Sequence, residues 1–146
     1  MRISTRSRYG IRMMINLAAN YSRGHAFLKD IAREEEISEK YLSQIVIPLR
    51  RAGFLSASRG VHGGYRLAYH PSRITAKDIV EVLEGDLCVL ECARDEAACN
   101  RSGKCPSRDL WIALGDTISG FLSSITLEEL AKSKNEKDQI LLQYSI

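Results

Sequence analysis

The sequence predicts a mainly α-helical protein, a winged helix-turn-helix with a two-stranded wing, followed by a long C-terminal helix suited to dimerisation. Three observations carry that reading. Apolar residues recur at three- and four-residue steps through three successive segments of the first 51 residues, which is the period of amphipathic helices. Two short strand-like runs then flank the glycine-rich tip Arg59-Gly60-Val61-His62-Gly63-Gly64, the pattern of a β-hairpin. Downstream, Leu110, Leu114, Ile118, Phe121, Leu122 and Ile125 are spaced nearly as a heptad seam, more apolar stripe than a core of this size needs.

The elements follow in chain order. Gly10, Met13, Met14, Leu17, Ala18 and Tyr21 place a first helix over Ser7–Tyr21, broken by Gly24-His25. Leu28, Ile31 and Ala32 give a short second helix ending in Glu34-Glu35-Glu36. Ser38 is placed as the N-cap of a third. Its buried stripe is Leu42, Ile45, Val46 and Leu49, and Gly53 ends it. Pro48 removes the amide that would bond the Gln44 carbonyl, so a kink or loosened turn is expected there. The wing runs from Phe54–Ser58 to Tyr65–Ala68. Thr75 and Asp78 resemble a capping box for a fourth helix with Ile79, Val82 and Leu83 inward, closed by Gly85. Residues 86–106 show no periodicity and hold all four cysteines. Pro106 suits the first position of the seam helix. Thr126-Leu127-Glu128-Glu129 caps one more short helix, to about Ser133. The organisation expected is a winged-helix unit over 1–85, a cysteine loop over 86–106, the dimerisation helix and short following helix over 107–133, and an unplaced tail over 134–146.

Composition narrows the classes. With 146 residues, 45% hydrophobic and 27% charged, the chain can bury one ordinary core and is not a disordered segment. Its longest apolar run, around Met13–Ala19, is too short to span a membrane. The basic opening lacks the apolar segment of a secretory signal. A cytoplasmic protein is expected, in which cysteines read as ligands or reactive thiols rather than disulfides. The net charge of +3 hides an asymmetry. Residues 1–70 carry 12 Lys and Arg against 5 Asp and Glu, a net +7, while residues 71–146 carry 9 against 13, a net −4. A basic N-terminal half suits a polyanionic partner, most simply double-stranded DNA.

The third helix would present Ser38, Tyr41, Ser43 and Gln44 near its N-terminal turn, where a recognition helix meets base edges. Gln bonds adenine bidentately, and Ser bonds base or phosphate. Arg59 suits a narrow minor groove, and Gly60, Gly63 and Gly64 let the wing tip approach the sugar–phosphate backbone closely. His25, His62 and His70 lie in turn-like sequence, and no catalytic constellation or nucleotide-binding glycine loop is present, so an enzyme is not expected. The cysteine run is Cys88-x3-Cys92-x6-Cys99-x5-Cys105. It lacks the tight Cys-x2-Cys pairs of zinc sites. Clustered soft thiolates in an irregular loop suit an iron–sulfur cluster, while other metal or redox-thiol chemistry and simple free cysteines stay open on spacing alone.

Across about residues 1–131 the sequence resembles the Rrf2 family of bacterial winged-helix regulators, most closely its cluster-binding branch. The resemblance rests on Met1-Arg2-Ile3-Ser4, Arg8-Tyr9, the run Ile37-Ser38-Glu39-Lys40-Tyr41-Leu42-Ser43-Gln44, and Leu49-Arg50-Arg51-Ala52-Gly53. Ser58-Arg59-Gly60, Gly63-Gly64-Tyr65-Arg66-Leu67, Asp109-Leu110-Trp111 and Ile125-Thr126-Leu127-Glu128-Glu129-Leu130 extend it. It implies a homodimeric repressor or activator that binds DNA through Ser38, Tyr41, Ser43, Gln44, Arg59 and the Gly60–Gly64 wing. It further implies a [2Fe–2S] or [4Fe–4S] cluster on Cys92, Cys99 and Cys105, sensing iron–sulfur, redox or nitric oxide status. Two departures matter. Ser43 stands where cluster-binding members commonly have Glu, and the two positions from which the family draws a fourth ligand hold Arg108 and Arg8. Cys88, the only other sulfur in the loop, is the candidate fourth ligand; a residue from a partner chain's first helix, an exogenous thiol or water are the alternatives, with Cys88 then a packed apolar residue. The alternatives are a cluster-free thiol sensor and a regulator that reads metabolite state by binding a partner enzyme.

Overall fold

The computed structural model describes residues 2–145; Met1 of the opening motif and Ile146 of the tail lie outside them. Helix α1 (Thr5–Ala19) starts where the Ser4 hydroxyl accepts the Ser7 amide at 3.1 Å. It buries Met13, Met14, Leu17 and Ala18. Gly10 is the point of closest approach to helix α4 (Ala76–Glu84), since a Cβ there would stand 2.2 Å from Leu83 Cδ1. Helix α2 (Leu28–Glu35) ends at Glu36, held at φ 52°, and the Ile37 amide returns to the Ala32 carbonyl at 3.0 Å. Helix α3 (Glu39–Arg51) is capped by Ser38 and continues through Pro48 to Arg51. The turn thus absorbs the missing amide within a continuous helix rather than ending there.

Strands β1 (Leu55–Ser58) and β2 (Gly64–Leu67) pair antiparallel, with Leu55 opposite Leu67 and Ser58 opposite Gly64. The wing is fastened to the helical body by an isolated bridge in which Ala26 and Tyr65 exchange both amide bonds, each at 2.8 Å. Helix α4 carries the Thr75–Asp78 capping box, with Thr75 N–H donating to Asp78 at 2.8 Å and Asp78 N–H to Thr75 Oγ1 at 3.2 Å. Residues 86–105 are not wholly irregular: they form a one-turn helix α5 (Glu91–Arg94) and tight turns at Glu96–Ala98 and Ser102–Lys104. Helix α6 (Pro106–Ser124) has proline at its start and buries none of its residues; Leu110 is 59% exposed, Leu114 36% and Phe121 65%.

Helix α7 corrects the sequence expectation. It runs Leu127–Tyr144, well past Ser133 and through most of the segment read as an unplaced tail. No Gly or Pro interrupts it. Glu128–Lys132 at 3.7 Å and Lys134–Asp138 at 3.8 Å are i,i+4 pairs along it. Its first turns belong to the main core, where Leu127 and Ala131 are buried with the residues of α1 and α3. A short bridge reinforces the junction, Ala76 N–H donating to the Ile125 carbonyl at 2.8 Å and Leu127 N–H to Ile74 at 2.9 Å. Farther along, Lys134 reaches the carboxylate of Glu35 at 3.2 Å. That carboxylate, 9% exposed, also accepts Asn16 at 3.0 Å and Arg12 at 3.4 Å. Glu35 is therefore neutralised from α1 and α7 together, as a buried charge requires. Among the described residues no helix is long and apolar enough to cross a membrane.

Candidate nucleic-acid interface and cysteine loop

The exposed side of α3 is built by its own period. Leu42, Ile45, Val46 and Leu49 turn inward, leaving Lys40, Ser43, Gln44, Ile47, Arg50 and Arg51 outward or at the rim. Ser38 spends its hydroxyl on the Tyr41 amide at 3.4 Å, and Ser43 donates to the Lys40 carbonyl at 2.7 Å. Each keeps lone pairs that can accept from a base or an amide. Gln44 has no such internal engagement among the described residues, so its amide is free for base-edge bonding. Tyr41 differs from the sequence expectation in emphasis. It is half-buried, packed edge-on against Tyr9 at 5.7 Å between ring centres. Arg8 and Arg12 lie over the same Tyr9 ring, each at 5.7 Å. Tyr41 thus fixes α3 on α1 and leaves only part of its surface open.

On the wing, Arg59 is exposed and makes no ion pair among the described residues. The three glycines do different work. Gly60 sits at φ 98° in open space. Gly63 is buried, and a Cβ on it would lie 2.6 Å from the Ser58 carbonyl. Gly64, at φ 115°, faces the Ala26 carbonyl, which a Cβ would approach to 2.3 Å. Gly63 and Gly64 therefore shape the tip, and the tip's outer surface belongs to Arg59–His62.

The cysteine loop packs beside the start of α6. Cys88, half-buried, donates its thiol to the Leu90 carbonyl at 3.1 Å. With Leu87, Val89, Trp111, Leu114 and Ile118 it lines an apolar groove of about 660 Å³ along α6. Cys92 lies on α5, where its carbonyl accepts Arg108 Nε at 2.7 Å. Cys99 is exposed. Cys105 is the residue before α6, and its sulfur is 3.1 Å from Ser107 Oγ. The Ser107 hydroxyl, then the Arg108 amide, hold the Cys105 thiol below its ordinary pKa. No three Cys, His, Asp or Glu side chains among the described residues converge as a metal-binding group. The four thiols of the loop are of the donor type a thiophilic group takes, but the described side chains do not gather three of them at one point. One feature escaped the sequence reading. Ser102, within the loop, is 6% exposed and its hydroxyl has no hydrogen-bond partner among the described residues. Its place midway in Cys99-x2-Ser102-x2-Cys105 was the available signal.

A two-stranded wing fastened beside a capped recognition helix, with a basic, polar outer face, is the architecture of a winged-helix transcriptional regulator rather than an enzyme. The comparisons make this specific. The profile of Rrf2, iron-dependent transcriptional regulators, matches residues 3–133, and the chain belongs to the Rrf2 family. It is 41% identical over 144 residues to the transcriptional regulator CymR of Bacillus subtilis, covering 99% of both chains. It is 34% identical over 138 residues to IscR of Photorhabdus laumondii, covering 94% of this chain and 84% of that one. Among solved structures, CymR, the global cysteine regulator of B. subtilis, superposes with a TM-score of 0.78 at 42% identity, over 91% of this chain and 98% of that one. IscR of T. potens superposes at 0.77 and 34% identity, over 94% and 90%.

Proposed function

We propose that this regulator binds pseudo-palindromic DNA as a homodimer and reads iron–sulfur or redox status through its cysteine loop. The observation that carries the proposal is the unburied seam of α6, which directly follows the loop: a two-fold partner would bury Leu110, Leu114 and Phe121 and set two α3 helices on one face. Gln44 and Ser43 then read base edges, Arg59 enters the minor groove, and Lys40, Arg50 and Arg51 neutralise phosphates. Half-sites one helical turn apart, or a multiple of it, follow from the two-fold geometry.

Cys92, Cys99 and Cys105 are the residues that would hold an iron–sulfur cluster. Bound there, such a group supplies a centre that oxidants and nitric oxide attack. The chain's own part is to keep the three sulfurs on one short loop and to tie that loop to α6. Arg108 does the tying through the Cys92 carbonyl, so loop order and the dimer seam are mechanically joined. The second reading is a cluster-free thiol sensor, favoured by the lowered pKa of Cys105. Two measurements test the proposal. Selection from random-sequence duplexes should enrich a pseudo-palindrome, and anaerobically purified protein should contain iron and absorb in the visible. Enrichment without iron would leave the thiol sensor; no enrichment at all would refute the DNA-reading assignment.

A further inference from the structure

We propose that Lys134 of α7 is a positioning residue for DNA reading: by holding Glu35 it locks the turn that leads into α3, and so sets the pose of α3 from another helix. The inference rests on the DNA-reading assignment above and adds a residue to it. Glu35 is the last residue of α2, and Glu36 then turns the chain, at φ 52°, towards Ser38, the cap of α3. Whatever fixes Glu35 fixes the point from which α3 departs. Two helices supply the contacts that do so. From α1, the Arg12 guanidinium donates to the Glu35 carbonyl and, at 3.4 Å, to its carboxylate. From α7, Lys134 meets the other carboxylate oxygen at 3.2 Å, beside the Asn16 amide at 3.0 Å.

From Glu35 the contacts run on to the candidate DNA face. Arg12 lies over the Tyr9 ring at 5.7 Å, and Tyr9 packs edge-on against Tyr41, in the first turn of α3, at the same separation. Lys134 thus stands at one end of a chain of contacts whose other end is on α3. A carboxylate this buried has to stay neutralised, and removing one of its cations leaves a charge that draws water or another donor into the turn. Arg12 cannot make good the loss in place, because its guanidinium is already divided between the Glu35 carbonyl and the far carboxylate oxygen. Lys132, two residues earlier on α7, carries the same charge without the contact; it is exposed and pairs with Glu128 at 3.7 Å.

The test is fluorescence anisotropy on the duplex enriched by selection and on a scrambled one, at several salt concentrations and well below each variant's melting temperature. Wild type is compared with Lys134→Met, Lys134→Arg, Lys132→Met, Glu35→Gln and the double variant Glu35→Gln with Lys134→Met. Lys134→Met should weaken binding to the selected duplex by about 3- to 10-fold. Its affinity for the scrambled duplex and its salt slope should stay those of wild type, because no phosphate contact is lost. Lys134→Arg should recover the selected duplex, and Lys132→Met should leave it unchanged. Glu35→Gln should reproduce the loss, and the double variant should lose no more than the larger single loss, since both changes remove one interaction. A role in stability alone would lower the melting temperature and leave the ratio of the two affinities untouched; that outcome for Lys134→Met overturns the proposal. So does an equal loss on both duplexes with a shallower salt slope, which makes Lys134 an ordinary phosphate contact. A wild type that prefers no duplex refutes the DNA-reading assignment itself, and the role of Lys134 with it.

Discussion

Replacing Gly64 with alanine isolates what fastens the wing to the helical body. Two costs add at this position. The φ of 115° is one that an L side chain adopts only with strain, about 1–2 kcal/mol. The added methyl would also stand 2.3 Å from the Ala26 carbonyl oxygen and 2.5 Å from its carbon. Both are backbone atoms with no rotamer to retreat into. Relief requires parting the Ala26–Tyr65 bridge, whose two hydrogen bonds contribute about 0.5–1.5 kcal/mol each. The total is about 2–5 kcal/mol. Gly60→Ala is the control, because φ is 98° but none of the described residues comes within 4 Å of its missing Cβ, so only the conformational part, about 1–2 kcal/mol, applies. Urea unfolding followed by circular dichroism should show Gly64→Ala with a midpoint clearly below Gly60→Ala at similar slope. Equal midpoints for the two variants would refute the claim that contact with Ala26, rather than backbone strain, makes glycine necessary at 64.

Other outcomes follow from the same geometry. Arg59→Ala should weaken binding to the selected duplex by about 1–3 kcal/mol and relax preference at the minor-groove step, whereas Arg50→Ala should weaken all duplexes alike and reduce the salt slope by about 1; fluorescence anisotropy at several salt concentrations separates them. Leu114→Asp with Ile118→Asp should convert a dimer to a folded monomer in sedimentation equilibrium, and an unchanged dimer mass would move the interface off α6. Because hydrogen bonds from Ser107 and the Arg108 amide lower the pKa of Cys105, iodoacetamide at neutral pH should label it faster than a thiol of ordinary pKa, and Ser107→Ala should slow it; peptide mass spectrometry reads both. The carboxyl of Glu84 is held below its ordinary pKa, first by hydrogen bonding from Ser4. Its contribution is therefore present above the usual carboxylate range and lost as pH falls through the lowered folded value. Glu84→Gln should flatten that part of the acid limb in melting curves.

The parts of the fold that were legible in the sequence are those fixed by short-range chemistry. Ser38, the Thr75–Asp78 pair and the Thr126–Glu129 pair are hydrogen-bonded caps complete within four residues, so spacing alone reveals them. The length of α7 was not legible. Beyond Ser133 its apolar residues Ile140, Leu141 and Leu142 have no helical period, and the anchor of that stretch is Lys134 on Glu35, 99 residues away. At the candidate DNA face, residue types marked the outward positions of α3 and the wing tip, which the fold leaves exposed. The half-burial of Tyr41 against Tyr9 and the steric duty of Gly63 depend on tertiary neighbours that the pattern does not carry. The same holds in the loop. Cysteine spacing marks the segment, but the burial of the Ser102 hydroxyl becomes visible only once the turns at 96–98 and 102–104 are folded.

The entry of α7 into the core beside α1 bears on how the chain is made. Leu127 and Ala131 complete an apolar cluster begun by Met13 and Leu17, more than a hundred residues earlier in synthesis. At about 5–20 residues per second, the ribosome takes about 5–20 s to cover that interval. Through it, the part of α1 that α7 covers stays open to solvent or to a chaperone, even after α2, α3 and α4 have packed on the rest. Helix α3 and the wing emerge early but rest on an unfinished core, so a nascent chain stalled within the cysteine loop has all the residues proposed to contact DNA and lacks the final support that holds them in place.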